Sequence, residues 1–354
     1  MGGAQSQLLS AAQISLWARV RGLEIEDVDR ALWKERTLAK AWCMRRTLYL
    51  LPSRDLATFV RGSSGRAEKE VRWVLNKGVS ERTLDEAIGA VLSVLDRPLT
   101  GTELVEHVGR MLHAPLRQRR GGGWGSRRLV PCVEIGGISF PAYYLLSLAG
   151  ARGVICSGPL RGSEATYVRA DSWVARWRDL PKEEAEGDLL RRYLRAFGPA
   201  TVDDFRAWTQ IRLIDAKRIW AREEPGFASV EVDGWPASIL SEDLPRLQRS
   251  ELDSPSVRIL PYFDGFLLGH GTRGHLLDPE HHRTVYSVRG WVSPVVLVDG
   301  RVAGLWSHEE KRDRLLVKVK PFGRLAPGTD TLIRAEVEDL ARFLRCRTSE
   351  LRLN

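Results

Sequence analysis

The sequence predicts an α+β fold of three tandem units, each a helix-turn-helix followed by a β-wing. Three observations carry that prediction. Short helices with a Thr- or Gly-marked turn between them recur along the chain, and a hairpin pattern follows each set. Residues 255–325 then switch to β-rich sequence containing an Asp299-Gly300 turn. The units are assigned to residues 1–80, 81–180 and 181–354.

The third unit is the clearest. DLLRRYLRAFG (188–198) places Leu189, Leu190, Tyr193, Leu194 and Phe197 at helical spacing, and Gly198 and Pro199 stop the helix. Thr201 caps TVDDFRAWTQ, with Asp203 and Asp204 in the first turn, where the helix dipole favours negative charge. LIDAKRIWARE (213–223) is a further helix, and FASVEVDGW reads as strand. In the second unit, TLDEAIGAVLSVL is a helix starting at Thr83 and ended by Pro98. Thr100 or Thr102 caps TELVEHVGRML, SFPAYYLLSLAGARG is a helix closed by glycine, and VICSGPLRGSEATYVRA is a hairpin turning around Gly158–Gly162. Between them, RQRRGGGWGSRR reads as a mobile basic loop.

The first unit opens with GGAQSQ and an amphipathic helix. IEDVDRALWKE (25–35) continues as helix and LAKAWCMRRTLYLL (38–51) as a hairpin. A leading helix is lacking, so the chain as given is expected to start at an internal methionine or to lack its true N-terminus. At the other end, LIRAEVEDLARFLR (332–345) is a helix whose Leu340, Phe343 and Leu344 stripe packs on the β-rich region.

At 354 residues the chain suits two or three domains rather than one core. No apolar run reaches the roughly 18 residues that a membrane helix needs, which predicts a soluble cytoplasmic, nucleoid-associated protein with no membrane partner. The four cysteines lie far apart at no metal-ligand spacing and read as free thiols. Lys and Arg outnumber Asp and Glu by 54 to 45, a net +9 that favours a polyanion partner. No acid occurs between Glu106 and Glu134, a stretch that holds six arginines. Arg119, Arg120, Arg127 and Arg128 are therefore candidate phosphate contacts, with Trp124 as a stacking candidate. Arg45 and Arg46 at one hairpin tip, and Lys311, Arg312 and Arg314 in the SHEEKRDR tip of another, extend the set. A narrow basic β-tip suits a minor groove about 6 Å wide. His270, His275, His281 and His282 lack the i, i+4 spacing of a helical metal pair, so neither metal nor cofactor is predicted.

Six strings, taken in order, resemble one family: AQSQ, WARVRG with DVDRALW, AWCMRRTLYLLPSRDL, RRYLRAFGPATVDDFRAW, LPYFDGFLLG and SPVVLVDGRVAGLW. They are similar to the AlkZ/YcaQ-like DNA glycosylases, tandem winged-helix proteins whose catalytic signature is Gln-X-Gln or Gln-X-Asp. The resemblance implies three tandem winged-helix units forming a concave DNA-binding surface, with a third-unit hairpin set against the minor groove. It implies that Gln5 and Gln7 are catalytic. Ser6 is small like the family's middle residue but polar, and Tyr49 stands where the family often carries His. Asp264, read as a lone acid inside an apolar strand, is a helper that orients the glutamines or steadies positive charge, or else a structural carboxylate.

The implied activity is monofunctional hydrolysis of the N-glycosidic bond of alkylated, N7-modified purines, extending to bulky adducts or interstrand crosslinks. Alkylation places positive charge on the base and weakens the bond, so little general acid is needed. A glutamine both donates and accepts, which suits it to aligning a water without acting as a strong base. The expected partner is duplex DNA containing alkylated bases, bound by a monomer with no obligate protein partner. The residues alone leave two other readings open: a non-catalytic winged-helix DNA-binding protein such as a transcriptional regulator, and a small-molecule binder built from degenerate winged helices.

Overall fold

A computed structural model describes residues 2–64, 67–120, 129–174, 180–252, 254–288 and 290–354. Helices and several small sheets alternate along it in a mixed α+β arrangement, and the residues divide into two compact units. One comprises Met1–Arg30, Arg191–Trp208 and Glu223–Asn354; the other comprises Ala31–Leu190 and Thr209–Arg222.

The second of these is built on a helix and strand core. Ser80 caps Glu81–Val94 through the Thr83 N–H, so this helix starts before Thr83 and ends before Pro98. Thr100 caps Gly101–Met111 in a reciprocal box with Glu103. Leu84, Val91, Leu104, Val108, Phe140 and Leu145 are buried together between these helices, the strands Leu129–Ile135 and Ile138–Pro141, and the helix Ala142–Ala151. The hairpin Ile155–Arg161 with Glu164–Arg169 turns at Gly162. Leu38–Trp42 and Leu48–Pro52 form the expected antiparallel pair.

One expectation is corrected here. Leu116–Arg120 is not loop but a strand, paired antiparallel with Leu129–Ile135 so that Arg117 faces Cys132 and Arg119 faces Val130. The basic run is strand because it pairs with a later segment of the chain, a non-local cause. Residues 121–128, which hold Trp124, Arg127 and Arg128, lie outside the described residues.

The other unit has a five-stranded sheet, in which Val257–Leu260, Val295–Val298, Arg301–Lys311, Arg314–Pro321 and Thr348–Leu353 are neighbours in that order. The Asp299-Gly300 turn is present, with both residues at positive φ (48° and 79°) as a two-residue hairpin of this kind requires. Thr329–Phe343 packs its Ile333, Val337, Leu340 and Phe343 face on this sheet, while Leu344 is half-buried. Leu9–Trp17 shares the same core through Ile14 and Trp17. This first helix is buried around most of its circumference, against the amphipathic expectation. Its one polar stretch is satisfied from other elements: Gln13 donates to Asp29 (3.2 Å), and the Trp17 indole donates to Asp339 (2.8 Å).

A second cluster in this unit gathers Tyr193, Phe197, Phe205 and Trp208, with neighbouring ring centroids 5.1–6.4 Å apart. Burying each such ring contributes about 1.5–3 kcal/mol. Thr201 and Asp204 close the predicted cap reciprocally, at 3.0 and 3.2 Å. The hairpin Phe227–Val232 with Trp235–Leu240 follows, closed by Val232 opposite Trp235.

Candidate active site and nucleic-acid surface

The glutamine segment is short and extended. Ala4–Gln5 is strand, Leu8 is still extended, and the helix begins at Leu9. Side chains in such backbone alternate between faces. Ser6 is accordingly buried (0% exposed), while the Gln5 Nε2 donates to the Gln7 Oε1 at 3.2 Å. Gln5 is 6% exposed and Gln7 is exposed, so the pair reaches from the protein interior to its surface. With Gln7's acceptor engaged by Gln5, its amide N–H groups remain directed outward as donors.

Two glycines ahead of the motif went unremarked in the sequence, and they set its path. A Cβ on Gly2 would stand 2.8 Å from the Phe197 ring and 2.9 Å from the Trp208 ring, closer than carbon atoms tolerate. Gly3 takes φ 86°, a conformation that side-chain-bearing residues adopt at a cost of about 1 kcal/mol or more. The Gly-Gly pair immediately before AQSQ was the available signal.

Asp264 is not in a strand. It caps the short helix Gly265–Leu268, accepting from the Phe266 N–H at 2.8 Å, because a carboxylate preceding an exposed helix N–H stabilises the turn even inside an apolar string. Its remaining acceptor positions are taken by the Arg19 guanidinium, two-pronged at 2.9 and 2.6 Å, and by the Ser15 hydroxyl. The side chain of Asp264 is fully buried and that of Arg19 is 29% exposed. A carboxylate with four donors on its two oxygens has no lone pair left for a water. What it does is hold the C-terminal end of the Leu9–Trp17 helix, whose N-terminal end follows the glutamines.

The hairpin of Arg301–Lys311 and Arg314–Pro321 differs from its sequence reading in one respect. Strand pairing continues to Lys311 opposite Arg314, so the turn is only Arg312 and Asp313, with Arg312 at φ 57°. Glu309 accepts from Lys318 (2.8 Å) and pairs with Lys311 (3.1 Å). These hydrogen bonds and charges hold its pKa down at about 2. Arg314 pairs with Glu350 on the neighbouring strand, and Arg347 lies 3.6 Å from Asp313. Of the three tip cations, Arg312 alone has no carboxylate partner among the described residues.

The remaining candidates belong to the other unit. Arg45 and Arg46 occupy consecutive left-handed positions (φ 54° and 57°) in the turn between two strands. Arg45 folds back to donate to the Tyr49 hydroxyl, whereas Arg46 is exposed. Burial pushes the Tyr49 phenol up, so it is a neutral structural group and not a proton carrier in the place of a His. Arg117 is ion-paired with Glu134 at 3.3 Å, so the basic run does have a counter-charge, supplied across the strand pair. Arg119 is exposed, and the backbone of Arg120 ends the strand opposite Leu129.

The four histidines do not converge. His270 and His275 meet edge to face at 4.8 Å, His281 stacks on Phe322, and His282 lies tilted against Tyr286 at 5.0 Å. No group of three or more His, Cys, Asp or Glu suited to a metal occurs among the described residues. Nor is any described helix long and apolar enough to cross a membrane.

Residues 1–343 match the family described as AlkZ-like DNA glycosylases. An interstrand DNA cross-link repair glycosylase of Streptomyces sahachiroi is 32% identical, over 97% of this chain and 88% of the relative. The solved structure of the Streptomyces sahachiroi DNA glycosylase AlkZ is similar, with a TM-score of 0.79 and 28% identity over 99% of this chain and 91% of that one.

Proposed function

The chain belongs to the AlkZ-like DNA glycosylases, and from that premise we propose that it hydrolyses the N-glycosidic bond of N7-alkylated purines in duplex DNA. The observation that carries the reading is the 3.2 Å contact between Gln5 and Gln7 over a buried Ser6. Two amides joined in this way present fixed donors and acceptors at one point, and pre-orientation of this kind lowers the entropic part of the barrier. In the step proposed, the C1′–N9 bond breaks and its electron pair neutralises the cationic base. A water oriented by the glutamines bonds to C1′ through its oxygen and gives its proton to solvent. No lysine takes part, so the product is an intact abasic strand. Asp264 acts through the helix that follows the glutamines, as a positioning residue.

The proposal keeps three tandem winged-helix units forming a concave DNA-binding surface, with Arg45, Arg46, Arg119, Arg120, Arg127, Arg128, Lys311, Arg312 and Arg314 as DNA contacts. Duplex DNA containing alkylated bases is the partner of a monomer, without cofactor. Bulky adducts and crosslinks are included as substrates because the curated relative is named for cross-link repair.

Incubation with a duplex carrying N7-methylguanine, followed by hot alkali, tests the reading. Free N7-methylguanine released before alkali, and strand breaks after alkali in excess of an enzyme-free control, are expected; no release above that control, with tight binding intact, would move the chain to non-catalytic DNA binding. A second expectation concerns the hairpin tip. If Arg312 neutralises one phosphate, Arg312→Ala reduces the slope of log K against log salt by about 0.9. Lys311→Ala changes it less, since Lys311 already shares Glu309. Equal slopes for Arg312→Ala and the parent would remove the tip from the DNA surface.

A further inference from the structure

Beside the aromatic cluster of the unit that carries the glutamines lies a cavity of about 760 Å³, within the range of small-ligand sites. Phe197 forms part of its lining, the same ring against which Gly2 lies. Trp235 and Phe266 line it too, yet they are 75% and 36% exposed, an unusual state for large rings that could pack together.

The charge of the lining runs opposite to that of the chain. In a protein of net charge +9, the cavity has no Lys or Arg in its lining among the described residues and has two carboxylates, Asp204 and Asp233. Burial pushes Asp204 up, but hydrogen bonds from Thr201 and the Gly271 N–H outweigh it and leave its pKa lowered, so it is an anion at neutral pH. Burial, and then the neighbouring His270, push His275 down, so that imidazole adds no cation there. The Arg301 guanidinium, outside the lining, is engaged by Asp278 (2.6 Å) and by the carbonyls of Gly274 and His275.

We propose that this cavity is a binding site for a flat aromatic cation, held between the Trp235 and Phe266 rings and the carboxylates of Asp204 and Asp233. Ring faces attract cations and planar π-systems together, and the carboxylates, with His270 as a neighbour of Asp204, add charge selectivity. The ligand is either a free aromatic cation or the ring of a bulky adduct on DNA; the second source rests on the glycosylase reading.

Calorimetric titration of the whole chain with N-methylquinolinium, and with uncharged quinoline, tests the site without DNA. N-methylquinolinium is expected to bind at least about fivefold more tightly than quinoline. Trp235→Ala, a change at an exposed position, should weaken both probes about tenfold. Asp233→Asn keeps a residue tolerant of φ 51° and should erase most of the preference for the cation while leaving quinoline affinity unchanged. Equal affinity for the two probes, absence of saturable binding, or unchanged binding in Trp235→Ala would overturn the proposal and leave the glycosylase reading untouched. To separate the two sources, excision is compared on an N7-guanine adduct bearing a flat cationic ring and on N7-methylguanine. Slower release of the ring adduct alone in Trp235→Ala assigns the site to DNA-borne rings, and parental rates on both assign it to a free ligand.

Discussion

Gln5→Ala and Gln7→Ala each lower the single-turnover rate of N7-methylguanine release by on the order of 10²-fold, the loss expected for an interaction made mainly in the transition state. Duplex affinity stays within about twofold of the parent, because neither side chain carries a charge to neutralise phosphate. The two variants act differently on the pair. Gln5→Ala removes the 3.2 Å donor that fixes Gln7, whereas Gln7→Ala removes the exposed member itself. Gln7→Asp retains part of the rate, since a carboxylate accepts from Gln5 and can also align water. Parental rates in both alanine variants would leave the glutamines without a role in excision.

Asp264→Ala is the most damaging single change to the fold near the site. It leaves the Arg19 guanidinium with the Ser15 carbonyl but no carboxylate, and leaves the Phe266 N–H and the Ser15 hydroxyl without their acceptor. Breaking a buried ion pair costs about 3–5 kcal/mol, and the 29% exposure of Arg19 places this one near the lower end. A fall in the denaturation midpoint at constant slope measures it. Asp264→Asn keeps the cap on Gly265–Leu268 and loses the two-pronged ion pair, so its stability falls between the two. In the folded Asn variant, the excision rate at saturating enzyme should fall about tenfold while duplex affinity is unchanged, the split expected when the helix behind the glutamines shifts. A variant that loses stability but keeps the parental rate would reduce Asp264 to a purely structural carboxylate.

What the sequence made legible was local. The Thr201 cap, the Asp299-Gly300 turn and the helix Leu213–Glu223 stand where the residues predicted them, and of the two caps offered for the next helix Thr100 is the one used, because each rests on bonds or spacings within a few residues. The contact between Gln5 and Gln7 was likewise legible, from the period of two in an extended segment. Most of the misreadings involve distant partners. LPYFDGFLLG looks like strand because it is apolar, and only Ser15 and Arg19, far along the chain, make a buried acid there tolerable. The basic run 116–120 becomes strand because Leu129–Ile135 offers it an edge. Two of the three tip cations, Lys311 and Arg314, lose their apparent freedom to Glu309 and Glu350, of which Glu350 lies on a neighbouring strand. The first helix, short and hydrophobic on most sides, gave no sign that Asp339 and Asp29 would satisfy its polar atoms.

The central claim is that Gln5 and Gln7 serve one water together, and the double variant Gln5→Ala/Gln7→Ala tests it most directly. Single-turnover excision of N7-methylguanine is measured for the parent, both single variants and the double. Residues that act as a unit show strongly non-additive losses. The account predicts a double variant no more than about threefold slower than the worse single variant. A loss in the double variant equal to the product of the two single losses would mean independent roles, and would contradict it.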